Sequence, residues 1–199
     1  MAASGQSIHG EAEFLLGYGP ESVLDAGCGT GRVAIELERR GIDSVGVDLD
    51  RKMLEEARRK APHVPWVEED LQKLTLQRTF DVVVLAGNVM IFVEPGSENE
   101  VLRRMAEHLN TNGLLIAGFS LGPNTLSLEH YDALLEDLGL SAAGRWSTWQ
   151  REPFIGETYA VSAHRKAYAE TYSICRRGFS SIFRSSYSSK LISSLSNLA

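Results

Sequence analysis

The sequence contains little cysteine and no long apolar run, and both absences restrict what the protein can be. Its 199 residues include two cysteines, Cys28 and Cys175, which lie far apart and indicate neither a disulfide framework nor a metal site. The sequence contains no run of 18 apolar residues, so it predicts no transmembrane helix. The N-terminal M-A-A-S-G-Q lacks the basic-then-apolar order of a signal peptide. We therefore expect a cytoplasmic protein with no membrane partner.

Positive charge is also scarce. Lysine and arginine total 20 against 26 aspartate and glutamate residues, which gives a net charge of -6. A nucleic-acid surface needs a clustered excess of basic residues, so the composition argues against a nucleic-acid partner. Hydrophobic residues make up 43% and charged residues 23% of the chain, values typical of a soluble globular protein with one domain of ordinary size.

The most informative stretch is residues 22–31, S-V-L-D-A-G-C-G-T-G, in which a short apolar run meets Asp25 and then three alternating glycines. The pattern predicts a buried strand, an acidic corner, a tight turn and a helix that begins at Arg32. Glycines allow positive φ and let a ligand approach the backbone closely. The turn therefore presents backbone N–H groups beside a carboxylate, which is typical of a small-molecule site.

The spacing of these glycines distinguishes between cofactors. A dinucleotide turn has the form G-x-G-x-x-G with no acid in the turn, whereas this chain has G-x-G-x-G two residues after Asp25. A carboxylate there would repel a diphosphate but suits a cationic ligand. The stretch resembles the first motif, D-x-G-x-G-x-G, of the class I, Rossmann-like S-adenosylmethionine (SAM) dependent methyltransferases. The resemblance implies SAM as cofactor, S-adenosylhomocysteine (SAH) as its product, and a small-molecule methyl acceptor.

Further acids follow the later strands. Asp48 ends a second strand, and a carboxylate there can accept two hydrogen bonds from a ribose diol. In the methyltransferases that the chain resembles, the residue matching Leu49 packs on the adenine. Asp70 with Leu71 resembles the motif that contacts the adenine amino group and a ring nitrogen. The cofactor-binding residues implied by the resemblance are Asp25, Ala26, Gly27, Cys28, Gly29, Gly31, Asp48, Leu49, Met53, Asp70, Leu71, Gly87 and Asn88.

Alternating strand and helix signals predict an α/β fold. After the first two strands, we expect a strand at 64–68, a fourth strand within 80–88 whose apolar run is 82–86, a strand at 114–119 and an antiparallel pair between 140 and 166. A turn at 110–113 should lead into the strand at 114–119. The resemblance implies a three-layer sandwich with helices on both faces of a mostly parallel seven-stranded sheet. Its strand order would be 3-2-1-4-5-7-6, with strand 7 antiparallel.

The end of the fourth strand resembles the family's fourth motif, which borders the transferring methyl group. Gly87, Asn88 and Val89 are therefore expected to line the reaction chamber. The residues after Asn88 depart from the D/N-P-P-Y/F form of enzymes that methylate exocyclic or amide nitrogens. This departure and the acidic net charge weigh against adenine, cytosine or glutamine as the acceptor.

The sequence identifies no catalytic residue. Methyl transfer from a sulfonium is an in-line displacement with a neutral leaving group, so alignment and desolvation are the main tasks and no strong base is obligatory. His9, Tyr18 and Glu94 are weak candidates to take the proton of a hydroxyl acceptor. Glu11 is a candidate contact to the methionine end of SAM.

We expect residues 1–167 to form a methyltransferase domain, with a helix and candidate lid at 1–18, and residues 168–199 to form a serine-rich tail of atypical composition. A monomer or a homodimer is expected. Two alternatives stay open: a protein that binds SAM or SAH without turnover, and an NAD(P)-dependent oxidoreductase. The oxidoreductase would share the sheet and Asp48, but Asp25 and the glycine spacing disfavour it.

Overall fold

The computed structural model describes residues 9–123 and 125–167, so positions 1–8 of the candidate lid and the tail at 168–199 lie outside the described residues. The strands are β1 (Ser22–Ala26), β2 (Asp43–Asp48), β3 (Trp66–Glu68), β4 (Phe80–Leu85), β5 (Leu109–Ser120), β6 (Leu140–Trp146) and β7 (Tyr159–Lys166). The helices are α1 (Gly10–Leu16), α2 (Arg32–Arg39), α3 (Arg51–Lys60), α4 (Val89–Phe92), α5 (Glu98–Glu107) and α6 (Leu128–Asp137). Within the described ranges, no helix is long and apolar enough to cross a membrane.

The described strands form one seven-stranded sheet with the order β3-β2-β1-β4-β5-β7-β6. The pairs from β3 to β5 are parallel, and β7 is antiparallel to both β5 and β6. The predicted fold class and strand order are therefore confirmed. Because β1 to β5 run in the same direction, the loops that follow them meet at one edge of the sheet, where α/β proteins bind their ligands.

The sheet is covered on both faces, which explains why β4 is continuously apolar from Val82 to Leu85. Val82 and Val84 face α1 and α2 and pack in a cluster with Phe14, Leu15, Val33 and Leu37. Val83 and Leu85 face the other way and pack in a cluster with Leu102, Met105, Tyr131 and Leu135 of α5 and α6. Successive strand residues thus supply two separate cores, and these make the three layers.

Two local predictions need correction. The third strand is shorter than 64–68, because Pro65 has no N–H to donate to a sheet ladder, and only its carbonyl is used, by the Gly46 N–H at 3.0 Å. The residues at 110–113 are not a turn before the fifth strand but part of it. Leu109 already pairs with Phe80, and the pairing register then shifts before Leu114, so these residues bulge from a longer strand.

Arg151, in the connection between β6 and β7, binds the C-terminal part of α1. Its guanidinium carbon lies 4.2 Å from the ring centroid of Phe14, 4.7 Å from that of Tyr18 and 5.3 Å from that of Trp146. Its Nη2 also donates a hydrogen bond to the Phe14 carbonyl at 2.9 Å. The charge is therefore satisfied both by aromatic faces and by a backbone acceptor, which holds α1 against the last two strands.

Candidate functional site

The glycine turn after β1 adopts the backbone that its sequence predicts. Gly27, Gly29 and Gly31 have φ of 77°, 55° and 81°, a region that residues with a Cβ rarely adopt. A Cβ at Gly27 would lie 2.5 Å from a methyl of Val89, and one at Gly31 would lie 2.4 Å from the indole of Trp66. At Gly29 no heavy atom lies within 4 Å of that position. The outer glycines are thus packed against protein, and the middle one borders open space.

Asp48, at the end of β2, holds this turn in place. Its Oδ2 accepts a hydrogen bond from the Gly29 N–H at 2.7 Å, and its Oδ1 accepts one from the Asp50 N–H at 2.8 Å. An ionised carboxylate has about four acceptor sites, and the Asp48 side chain is only partly buried. It can therefore accept further hydrogen bonds from a ligand while it keeps the turn ordered.

Asp25 lies beneath the turn and is only 2% exposed. Its Oδ2 accepts a hydrogen bond from the Ala34 N–H at 3.1 Å. Burial raises the pKa of Asp25 to about 7, and the nearby carboxylates of Asp48 and Glu11 act in the same direction, against the Ala34 hydrogen bond and Arg32. A cation bound beside this carboxyl group would favour its ionised form.

The remaining residues of the turn contribute backbone. Ala26 is fully buried and Cys28 almost so. Burial, followed by the charges of Asp25 and Asp48, raises the pKa of the Cys28 thiol well above its usual range, which keeps the thiol neutral and unreactive. The Gly27 and Cys28 N–H groups both donate to the Val47 carbonyl, and this ties the turn to β2.

Two apolar side chains stand in solvent next to Asp48. Leu49 is 70% exposed and Met53, in the first turn of α3, is 44% exposed. Across the neighbouring loop after β3, Leu71 packs against the core, while Asp70 Oδ1 accepts a hydrogen bond from the Gln72 N–H at 3.0 Å. The predicted adenine-contacting residues therefore follow neighbouring strands at one edge of the sheet, with apolar surface available to a flat ring.

The residues after β4 form a rigid corner. Gly87 and Asn88 both have φ of 68°, and a Cβ at Gly87 would meet no heavy atom within 4 Å. The Asn88 N–H donates to the Gly118 carbonyl at 3.1 Å, and Asn88 Oδ1 accepts from the Ser120 N–H at 2.8 Å. Asn88 thus fixes the end of β4 to the end of β5, on the side of β1 away from Asp48.

A group of which the sequence singled out only Glu11 lies between α1, α2 and β7. Arg32 donates two hydrogen bonds to Glu11, at 2.6 and 2.5 Å, and Tyr159 lies close enough to interact electrostatically with both charges. The Trp149 indole N–H donates to the Tyr159 hydroxyl at 3.0 Å. Both aromatic side chains pack over Gly118, where a Cβ would come within 2.5 Å of each. The signal in the sequence that could have indicated this contact is Gly118, a glycine inside an apolar strand, which often marks close approach by another group.

The three weak catalytic candidates lie apart from one another. His9 Nδ1 is 3.6 Å from Glu36 of α2. Tyr18 contacts Arg151 and lines a cavity with Asp81 and Gly113 at the opposite, amino edge of the parallel strands. Glu94 is exposed in the loop after α4. Of the three, Glu94 follows a strand at the edge that carries the glycine turn.

Comparison with known proteins agrees with this geometry. A family profile described as a methyltransferase domain matches residues 23–113. The chain is 38% identical over 95 residues to the cypemycin N-terminal methyltransferase of a Streptomyces species, which covers 46% of this chain and 39% of that protein. It is 29% identical over 162 residues to the demethylmenaquinone methyltransferase of Thermotoga maritima, over 80% of this chain and 65% of the relative. The chain thus spans less than two thirds of these curated relatives.

A solved structure matches over a larger share of both chains. It is a TehB-like SAM-dependent methyltransferase from Corynebacterium glutamicum, which is 31% identical in sequence and superposes with a TM-score of 0.76. The match covers 83% of this chain and 91% of that one. Together with the sheet order and the glycine turn, it shows that this chain belongs to the SAM-dependent methyltransferases with a Rossmann-like fold.

Proposed function

We propose that the protein binds SAM across the carboxyl ends of β1, β2 and β4 and transfers its methyl group to a small-molecule acceptor. The observation that carries the proposal is the open backbone at Gly29. No protein atom fills the space beside its Cα, although its N–H is held by Asp48, the residue with free acceptor capacity at the end of β2. A left-handed glycine that borders open space directly beside such a carboxylate lets a ligand approach the backbone and the acid together.

The residues present fit SAM. Asp48 has acceptor capacity for the two ribose hydroxyls, and the exposed Leu49 and Met53 offer apolar contact to adenine, with Asp70 and Leu71 beside them. Asp25 suits the positive charge of the cofactor. The backbone of 26–31 would lie along the ligand. A nicotinamide dinucleotide fits less well, since its diphosphate would approach Asp25.

When bound, SAM supplies a methyl group on a sulfonium whose leaving group is a neutral thioether. The chain's own residues align the reactants and exclude water. Asn88 fixes the corner after β4 through its two hydrogen bonds to β5, and Trp149 with Tyr159 forms a wall over Gly118. We assign no proton transfer to His9 or Tyr18, because the first lies beside Glu36 and the second at the opposite edge.

The same proposal covers the organisation of the chain. Residues 1–167 would form the catalytic domain, with 168–199 as a separate tail, in a cytoplasmic monomer or homodimer. A small acceptor is supported by the relative named for demethylmenaquinone.

Calorimetric titration of the full chain with SAM, SAH and NADH tests the cofactor. We expect micromolar binding of SAM and SAH that Asp48→Ala weakens about 10- to 100-fold, the effect of losing hydrogen bonds to a charged group. Asp43→Ala is the matched control, because Asp43 begins the same strand at the opposite edge and pairs with Arg78. Binding of NADH alone, or of no ligand, would contradict the proposal.

Release of SAH in the presence of a panel of small acceptors tests the transfer itself. A methyltransferase should release SAH with at least one acceptor, and Asp48→Ala should reduce that rate at low SAM concentration. Tight binding of SAM with no SAH release from any acceptor would instead identify a SAM-binding protein without turnover.

A further inference from the structure

The strand order determines which end of bound SAM would meet α1. Asp48 is at the end of β2, and Leu49, Met53 and Asp70 lie on the β2–β3 side, where the adenine would bind. With the adenine on that side, the amino-acid arm would extend toward β1, the neighbour of β2 on its other side, about 4.8 Å away. The arm would therefore run along the glycine turn toward the first turn of α2.

The first residue of α2 is Arg32, and its guanidinium already holds a carboxylate in bidentate geometry. Both terminal nitrogens donate to the two oxygens of Glu11. This is the geometry in which arginine binds the carboxylate of an amino acid. The Arg32 side chain is 48% exposed, so a ligand can reach it, whereas the Glu11 side chain is 15% exposed.

We propose that Arg32 binds the α-carboxylate of SAM or SAH and that Glu11 occupies the same place on the guanidinium in the unliganded chain. Ligand binding then exchanges one carboxylate for another, and Arg32 never loses a partner of opposite charge. This inference rests on the proposed function, because it takes the SAM site as given. It adds a positioning role for α1, which carries the displaced carboxylate.

The exchange does not require α1 to leave the fold. Glu13 of α1 lies 3.8 Å from Arg40 of α2, and His9 lies beside Glu36. Arg151 holds the other end of the helix through the Phe14 carbonyl and ring. A change of side-chain conformation at Glu11 is therefore sufficient, with the helix backbone in place.

Two ligands that differ only beyond the sulfur test the proposal. SAH carries the α-carboxylate, and 5′-methylthioadenosine has the same adenine, ribose and thioether without it. In calorimetric titration of the full chain, Arg32→Ala should weaken SAH about 10- to 100-fold, as expected for a lost charged hydrogen-bond pair. The affinity for 5′-methylthioadenosine should stay within about twofold of the wild-type value, because Arg32 touches only the arm.

The competing carboxylate gives a second measurement of opposite sign. Glu11→Gln should strengthen SAH binding about 2- to 5-fold, the equivalent of a partly exposed ion pair that no longer has to be broken, and should leave the affinity for 5′-methylthioadenosine unchanged. Glu13→Gln is the matched control: it removes an α1–α2 ion pair that does not involve Arg32 and should change neither affinity.

The outcomes separate this inference from the proposed function. Equal weakening of both ligands in Arg32→Ala, no weakening of either, or weaker SAH binding in Glu11→Gln would overturn the exchange and leave the SAM site standing. A rise in SAH affinity in Glu13→Gln would also overturn it, because loosening of α1 would then be the cause. Binding of neither ligand to the wild-type chain would refute the proposed function itself.

Discussion

Asp25→Asn is expected to stabilise the folded, unliganded chain at neutral pH, because the wild-type carboxyl group must ionise in a buried site. Burial raises its pKa from 3.8 to about 7. Between these two values the folded chain holds a proton that the unfolded chain has released, so folding stability falls as pH rises. The asparagine side chain keeps an oxygen to accept the Ala34 hydrogen bond and has no proton to release.

The size of the effect follows from the shift. Each pKa unit corresponds to about 1.4 kcal/mol, so a shift of about three units is worth roughly 4 kcal/mol once both states are ionised. The difference in unfolding free energy between Asp25→Asn and wild type should be near zero at pH 4. It should then grow by about 1.4 kcal/mol per pH unit and level off above pH 7.

Urea unfolding of both proteins at half-unit steps from pH 4.5 to 8 measures this difference, and the contributions of all other titrating groups cancel because both proteins share them. Asp43→Asn is the control, since Asp43 is exposed and pairs with Arg78 at the surface. The difference in unfolding free energy between Asp43→Asn and wild type should not show the same dependence on pH. If the difference in unfolding free energy between Asp25→Asn and wild type stays constant across this pH range, the reasoning is refuted.

Gly29→Ala should cost the fold only about 1–2 kcal/mol of backbone strain, because nothing lies within 4 Å of the new Cβ, yet it should weaken SAH binding at least about tenfold. Gly27→Ala, whose Cβ would strike Val89, should lower the unfolding temperature more than Gly29→Ala does. An unchanged SAH affinity in Gly29→Ala would contradict the argument from open space. His164 is buried at the β6–β7 pair and burial lowers its pKa below 6.5, so stability should fall as pH drops below 6.5. His164→Gln should flatten that dependence in urea midpoints measured between pH 5 and 7.5, and an unchanged slope would show that His164 is not its source.

The sequence predicted those parts of the site that depend on residues adjacent to one another along the chain. Alternating glycines determine the backbone of the turn, and an acid directly after an apolar strand places Asp48 at the edge of a parallel sheet. The strand order came from the family resemblance and not from periodicity, since periodicity gives elements but not their neighbours.

The parts that were missed depend on contacts between distant segments. The Glu11–Arg32 pair joins positions 21 residues apart, and the Trp149–Tyr159 wall becomes visible only when β7 is paired with β5 over Gly118. The bulge at 110–113 was missed for another reason. N-T-N-G is good turn chemistry, and only the pairing of Leu109 with Phe80 shows that the strand has already begun.

The contact between Arg151 and α1 has a consequence for the order of folding. It joins residues 137 positions apart, so the helix made earliest among the described elements obtains this partner only after β6 has been synthesised. Long-range contacts of this kind close late, because the intervening chain must first be ordered. On the ribosome, Phe14 and Leu15 can pack against Val33 and Leu37 of α2 soon after synthesis, whereas the Arg151 contact that holds the end of α1 forms only after the chain beyond β6 has emerged.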